Sequence, residues 1–195
     1  MSKVSLRDIN SCTDDQKKLV RNIRNEESVR KSMYTDHVIA LEEHFSWLES
    51  LKKDNKQMVF VVFLDGVVSG VVSVNAIDRL HKKSDWAFYL SESVRGGLGA
   101  ALEFSMLDFV FKELSLEKLN CEVIETNEPV VKMHKKFGFK EEGFRRKNIE
   151  KYGSRMGVFF LGITKGEWLE CRSSVKEKYK SVLDRFDVEI EYKNE

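Results

Sequence analysis

Residues 3–9, KVSLRDI, alternate apolar and polar side chains, the period of a strand with one buried face. The following SCTDDQKKLVRNIRN reads as a helix with Thr13 as its N-cap. Residues 29–35, VRKSMYT, show no clear period and predict a loop or short turn. Over 40–53, Leu41, Phe45, Leu48 and Leu51 recur at helical spacing, which predicts an amphipathic helix. QMVFVVF and VVSGVVSVNAI then flank Leu64-Asp65-Gly66, and Asp-Gly between β-branched runs signals a hairpin. DWAFYL (85–90) makes a third strand. LGAALEFSMLDFVFKEL carries four charges over 17 residues, so most of that helix should be covered. A strand (118–125) and a short helix (128–137) with Pro129 in its first turn come next. Two strands around a turn near Gly153 follow, then a helical tail, and DVEIEYKNE is expected to fray.

Strands and helices interleave around a central three-strand meander. That order predicts an α/β fold with one mixed α+β sheet and helices on both faces, not a uniform doubly wound sheet. At 195 residues and 42% hydrophobic content the chain can bury one sizeable core. Pro129 is the sole proline and no Gly/Ser-rich tract occurs, so no linker divides the chain. With 33 basic and 32 acidic residues, the net charge of +1 advertises neither a nucleic-acid partner nor an anionic membrane. There is no 18-residue apolar run, and MSKVSLRDINSC lacks a signal-peptide core, so a cytoplasmic location is expected. Cys12, Cys121 and Cys171 are odd in number and widely spaced, which argues against a disulfide framework and a zinc site.

The chemistry concentrates in two stretches. In VRGGLGA, a strand runs into Arg95-Gly96-Gly97-Leu98-Gly99-Ala100 and then a helix. Free N–H groups at a helix start grip anions, and glycines remove the β-carbons that hold a phosphate away. The same pattern also suits a plain tight turn. Gly-Ala-Ala replaces the Gly-Lys-Ser/Thr of a P-loop, and several elements precede the loop, unlike a dinucleotide fingerprint. The second stretch, LNCEVIETNEPVVKMHKKFGFKEEG, ends a strand at Thr126-Asn127 and starts a short helix. Asn127 suits a helix cap, and Phe137 and Phe139 suit a core, as well as any functional role.

Together the two stretches resemble the GCN5-related N-acetyltransferase (GNAT) superfamily. Gly97 and Gly99 match its pyrophosphate-loop glycines, while Asn127, Lys136, Gly138 and Phe139 match its second segment. The family's loop Arg/Gln falls on Val94, with Arg95 one position on. The resemblance implies a mostly antiparallel mixed sheet over residues 1–165, splayed at an acetyl-CoA site, with a helical extension (166–195) packed on or beside it. It implies acetyl-CoA as co-substrate without a metal, held by Phe88, Tyr89, Leu90, Arg95, Gly96, Gly97, Leu98, Gly99, Ala100 and Asn127. The family's tyrosine, which protonates the departing thiolate, is His134 in this chain. Histidine can donate a proton near neutral pH, although Lys132, Lys135 and Lys136 crowd it in sequence.

The acceptor should be read by the first half of the chain. RNEESVRKSMYT (24–35), followed by a helix with His44 and Trp47, resembles the pseudaminic-acid-pathway N-acetyltransferases. That likeness implies a nucleotide-sugar acceptor, UDP-4-amino-4,6-dideoxy-N-acetyl-β-L-altrosamine, in contact with Arg24, Arg30, Met33, Tyr34 and His44. His44, or Glu43 through water, is the candidate base. Polyamine and ribosomal-protein N-terminal acetyltransferases share much of this layout, and Glu26, Glu27, Glu42 and Glu43 suit a polyamine. A homodimer is compatible with these readings. A module that binds acyl-CoA without chemistry is the alternative from another class.

Overall fold

The computed structural model describes residues 1–94 and 96–192. Arg95, named above for the cofactor loop, lies outside the described residues. Eight strands form one sheet: β1 (Ser2–Asp8), β2 (Met58–Leu64), β3 (Val67–Asp78), β4 (Lys83–Leu90), β5 (Lys118–Ile124), β6 (Lys140–Lys151), β7 (Ser154–Thr164) and β8 (Phe186–Glu191). Their spatial order is β6-β7-β5-β4-β3-β2-β1-β8, antiparallel except at β4–β5 and β1–β8. The helices are α1 (Asp14–Arg24), α2 (Glu27–Ser32), α3 (Leu41–Leu51), α4 (Leu98–Asp108), α5 (Glu128–Lys136), α6 (Lys165–Lys178) and α7 (Lys180–Leu183). Thr13 caps α1 through a reciprocal box with Gln16, and Thr164 caps α6 likewise with Glu167.

The sheet is covered on both faces, which the β2 run MVFVVFL makes plain. Val59, Val61 and Phe63 pack with Val20, Leu48 and Leu51 of α1 and α3. Phe60 and Val62 pack on the opposite side with Leu102, Met106 and Phe109 of α4 and the π-helical turn (Phe109–Glu113) that extends it. Period-2 alternation within a wholly apolar strand is the mark of a sheet buried on both sides. The Asp65-Gly66 turn has both residues at positive φ (49° and 84°), as a two-residue hairpin between right-twisted strands requires.

Two segments differ from expectation. VRKSMYT is not all loop, since its first four residues complete the six-residue α2, which buries Val29. An apolar periodicity cannot show in so short a helix. The tail expected to fray instead forms β8, which runs parallel to β1 from Ser2↔Phe186 to Arg7↔Glu191. Val188 and Ile190 alternate onto the core face, so the strand covers what would be an open sheet edge. Upstream of it, α6 docks on α4 through Asp108. Arg172 grips this carboxylate bidentately (Nη2 2.6 Å, Nε 2.7 Å) and Trp168 Nε1 donates to it at 2.9 Å. Burial pushes the Asp108 carboxyl up, but hydrogen bonds from Arg172, Lys112 and Trp168 outweigh it and hold the group below its usual range.

Candidate active site

β4 and β5 pair only from Lys83↔Lys118 to Asp85↔Asn120. Beyond that point β4 stays with β3, and β5 stays with β7, so the sheet opens. Gly70 keeps β4 tight on β3, because a Cβ there would stand 2.2 Å from the Tyr89 carbonyl oxygen. The edge of Trp86–Leu90 that faces β5 is therefore without a strand partner, and its backbone groups are available to an extended ligand. A cavity of about 750 Å³ occupies the gap. Its lining comes from α1 and the α2 segment on one face and from Asn127, Val130 and His134 on the other, so it passes through the sheet.

The glycine loop borders this opening. Gly96 and Gly97 both adopt positive φ (87° and 95°), and Gly97 caps α4 with its carbonyl accepting from the amides of Ala100 and Ala101. Among the described residues no side chain caps this helix start. The two glycines also face the tail, where added Cβ atoms would meet Arg185 Nη2 at 2.7 Å and Val182 Cγ1 at 2.6 Å. Gly99 differs: its hypothetical Cβ meets the Phe88 ring at an ordinary 3.5 Å. The residues present fit an acyl-CoA: an uncapped helix start for phosphates, an open strand edge for an amide-bearing arm, and Asn127, whose side chain makes no capping bond. Leu98 itself is buried, and Ala100 donates its amide to Gly97, so neither side of the loop is spare except the amides of 97–99. Gly99→Val should consequently fold and bind acetyl-CoA more weakly. Unchanged affinity by calorimetry on the folded variant would show that no phosphate approaches there.

Asn127 and His134 share the cavity wall, as their spacing of two helical turns predicts. His134 is 3% exposed, wedged edge-on to Trp86 and beside Phe139. Its Nδ1 lies 2.7 Å from Oε1 of Glu103, a wholly buried carboxylate on α4. Burial pushes the Glu103 carboxyl up, and His134 opposes that. The lysines that crowd His134 in sequence are exposed, Lys132 on Glu128 (2.8 Å) and Lys135 on Glu141 (2.7 Å), so the titratable group against the imidazole is Glu103.

On the other face, Arg24, Met33 and Tyr34 line the cavity. Arg24 Nη2 donates to Thr35 Oγ1 at 2.9 Å, while its Nη1 is buried with no partner among the described residues. Burial lowers its pKa, with Tyr89 opposing. The Tyr34 hydroxyl donates to Glu122, and burial, then that carboxylate, push its pKa up. Arg30 does not line the cavity. Its guanidinium braces the chain by donating to the carbonyls of Asn25 (3.1 Å) and Asp36 (2.6 Å). Lys151, 2% exposed, donates to the carbonyls of Arg30, Lys31 and Met33 and so ties the segment after α2 to the β6–β7 hairpin. His44 lies in a neighbouring cavity of about 350 Å³, which shares Arg24, Asn75 and Tyr89 with the first. Its Nε2 must be protonated to donate to the Lys17 carbonyl (2.8 Å), and burial lowers its pKa. Among the carboxylates weighed from sequence, Glu27 pairs with Lys31 (2.6 Å) and Glu43 with His37. The acids that line the main cavity are instead Asp85, Glu92 and Glu122, alternate positions of strands and a turn that read as ordinary solvent-facing polarity.

Comparison with known proteins matches this geometry. Residues 9–156 fit the Acetyltransferase (GNAT) domain family, and the chain belongs to it. It is an N-acetyltransferase of GNAT type, a class that uses acetyl-CoA. Among similar proteins, YokL of Bacillus subtilis, an uncharacterised prophage-derived N-acetyltransferase, is 32% identical over 63% of this chain and 70% of its own length. Spermidine N(1)-acetyltransferase of Escherichia coli K12 is 27% identical (64% and 67%), and the acetyltransferase PseH of Campylobacter jejuni is 23% identical (70% and 84%). The fold matches Vibrio cholerae spermidine N-acetyltransferase, solved with CoA and spermine, with a TM-score of 0.78 at 21% identity over 85% of this chain and 98% of that one. Among the described residues no cluster of three or more His, Cys, Asp or Glu could hold a metal, and no helix is long and apolar enough to cross a membrane.

Proposed function

We propose that this enzyme acetylates a small cationic amine, with polyamines the favoured class. The observation that carries this reading is the charge of the cavity wall. Asp85, Glu92 and Glu122 accept only from neutral donors, Asn120, Ser28 and Tyr34 respectively. None of the three has an ion-pair partner among the described residues; the Arg24 guanidinium lines the same cavity, and Arg145, stacked on Phe160 beside Glu122, acts on Tyr34. Asp85 is half-buried while Glu92 and Glu122 are exposed, and carboxylates gathered on one wall without ion-pair partners attract ammonium groups. The similarity to a spermidine acetyltransferase supports the same class.

In this reading the thioester of acetyl-CoA supplies the acyl group. The open edge at Trp86–Leu90 and Asn127 align the pantetheine arm, and the amides of residues 97–99 receive the pyrophosphate. The cavity carboxylates hold the acceptor, and His134 donates a proton to the leaving sulfur. Acetyl-CoA turnover read as free thiol, across spermidine, an amino nucleotide sugar and N-terminal peptides, tests the acceptor class. Spermidine should react fastest, and Glu122→Gln should raise its KM about tenfold or more without moving that of acetyl-CoA. Preference for the amino nucleotide sugar would defeat this reading.

A second reading keeps the nucleotide sugar, and Arg24 favours it. A buried guanidinium nitrogen without a partner suits a phosphate or sugar oxygen. Under that reading Arg24→Ala raises the KM of the nucleotide sugar, while Arg30→Ala loosens the segment after α2 and acts through stability.

A further inference from the structure

Glu103 is the sole charged residue of Leu98–Leu107, and it is wholly buried. The adjoining positions of α4, Leu102, Phe104, Met106 and Leu107, all belong to the apolar core, and nothing in that packing calls for a carboxylate. Burying an ionisable group among such side chains is costly unless a partner compensates. His134 Nδ1 at 2.7 Å is its one hydrogen-bond partner, and Oε2 has none among the described residues. His134 lines the through-sheet cavity, whereas Glu103 stands behind it and does not.

We propose that Glu103 is a positioning residue that holds His134 with its proton on Nδ1 and its Nε2 toward the cavity, ready to act on the thiolate. The inference rests on the reading of His134 as the acid. A carboxylate only accepts, so the bond keeps Nδ1 protonated and leaves Nε2 as the nitrogen that gains and loses a proton. The same division of labour orients imidazoles in hydrolase triads, where a buried carboxylate fixes the tautomer and never itself touches the substrate. In the transfer, the amine nitrogen bonds to the acetyl carbon as the C–S bond breaks and sulfur leaves with the electron pair. His134, protonated on Nε2 by solvent before the transfer, passes that proton to the sulfur and returns to the neutral Nδ1–H imidazole, still bonded to Glu103. The proton shed by the amine goes to solvent, and one from solvent restores Nε2–H.

The test compares Glu103→Gln and Glu103→Leu with the parent enzyme, by steady-state kinetics and by ¹⁵N NMR of the imidazole nitrogens. Leucine takes the acceptor away from the buried His134 Nδ1–H, so that variant should be less stable than the parent, whereas glutamine keeps a neutral group that can donate or accept there; both are compared as folded proteins. Both variants should lose about 10–100-fold in kcat, the usual worth of a group that orients a catalytic ligand, with the KM of acetyl-CoA unchanged. The His134 resonances should change from a fixed Nδ1–H tautomer to a mixture. An unchanged His134 spectrum in both variants overturns the proposal, as does full kcat in both while His134→Ala is slow. Slow Glu103 variants beside a full-rate His134→Ala enzyme also overturn it, because the effect would then bypass the histidine. A changed spectrum with full rates in all three variants refutes the acid reading alone and leaves the tautomer assignment standing.

Discussion

His134→Ala is expected to lower kcat by about 10²–10⁴-fold, the range of a positioned general acid, with acetyl-CoA affinity unchanged. The low end should hold, because a thiolate is a stable leaving group and water in the cavity can protonate it. Affinity should survive because the loop, the β4 edge and Asn127 stay in place. A full-rate variant would mark His134 as a core residue that merely compensates Glu103. His134→Tyr restores the residue type of the family but not its surroundings. Trp86, Phe139 and Glu103 already enclose the imidazole, so the larger ring would overpack the site and cost about 1–3 kcal/mol. Its stability by denaturant titration should fall below that of the parent.

Trp168→Ala should destabilise the whole protein by about 3–5 kcal/mol, the usual range for deleting a fully buried large aromatic. Trp168 is 0% exposed, stands edge-on to Phe104, and donates to the carboxylate that Arg172 also grips. Removing it leaves a cavity and takes one donor from Asp108. We propose that residues 166–192, all of which lie beyond the family-matched 9–156, fold in one cooperative unit with the rest. A single denaturant transition, shifted as a whole, is the expected result. A loss confined to a separate early transition would show that the extension folds by itself.

The sheet, its hairpin and the order of elements were legible because periodicity and turn chemistry are local. MVFVVFL, Asp65-Gly66 and Thr13 each specify their structure within a few residues. β8 was not legible: DVEIEYKNE is charged on alternate positions, and only β1 lying beside it gives Val188 and Ile190 something to cover. In the site, Asn127 and His134 were placed together by helical spacing alone. Arg30 looked like a ligand because a sequence cannot show that its guanidinium is spent on two carbonyls. Conversely, Glu103 had a signal, one charge among nine uncharged positions of a buried helix, but its partner lies 31 residues away. The glycine loop held a double meaning. Gly96 and Gly97 serve the tail's approach as well as any phosphate, and Gly99 is the position where the two uses separate.

The β1–β8 pairing has a consequence for synthesis. β1 emerges from the ribosome first among the strands and β8 last, and the two meet across some 184 residues, as in Arg7 Nε to Glu191 Oε1. At about 5–20 residues per second, the outer edge of β1 waits roughly ten seconds or more for its neighbour. Throughout that interval a strand with buried Val4 and Leu6 offers unpaired amides to any other nascent chain. Chains released early, before residue 186, would keep that edge exposed for good. Premature termination should therefore yield aggregates before it yields a merely slower enzyme.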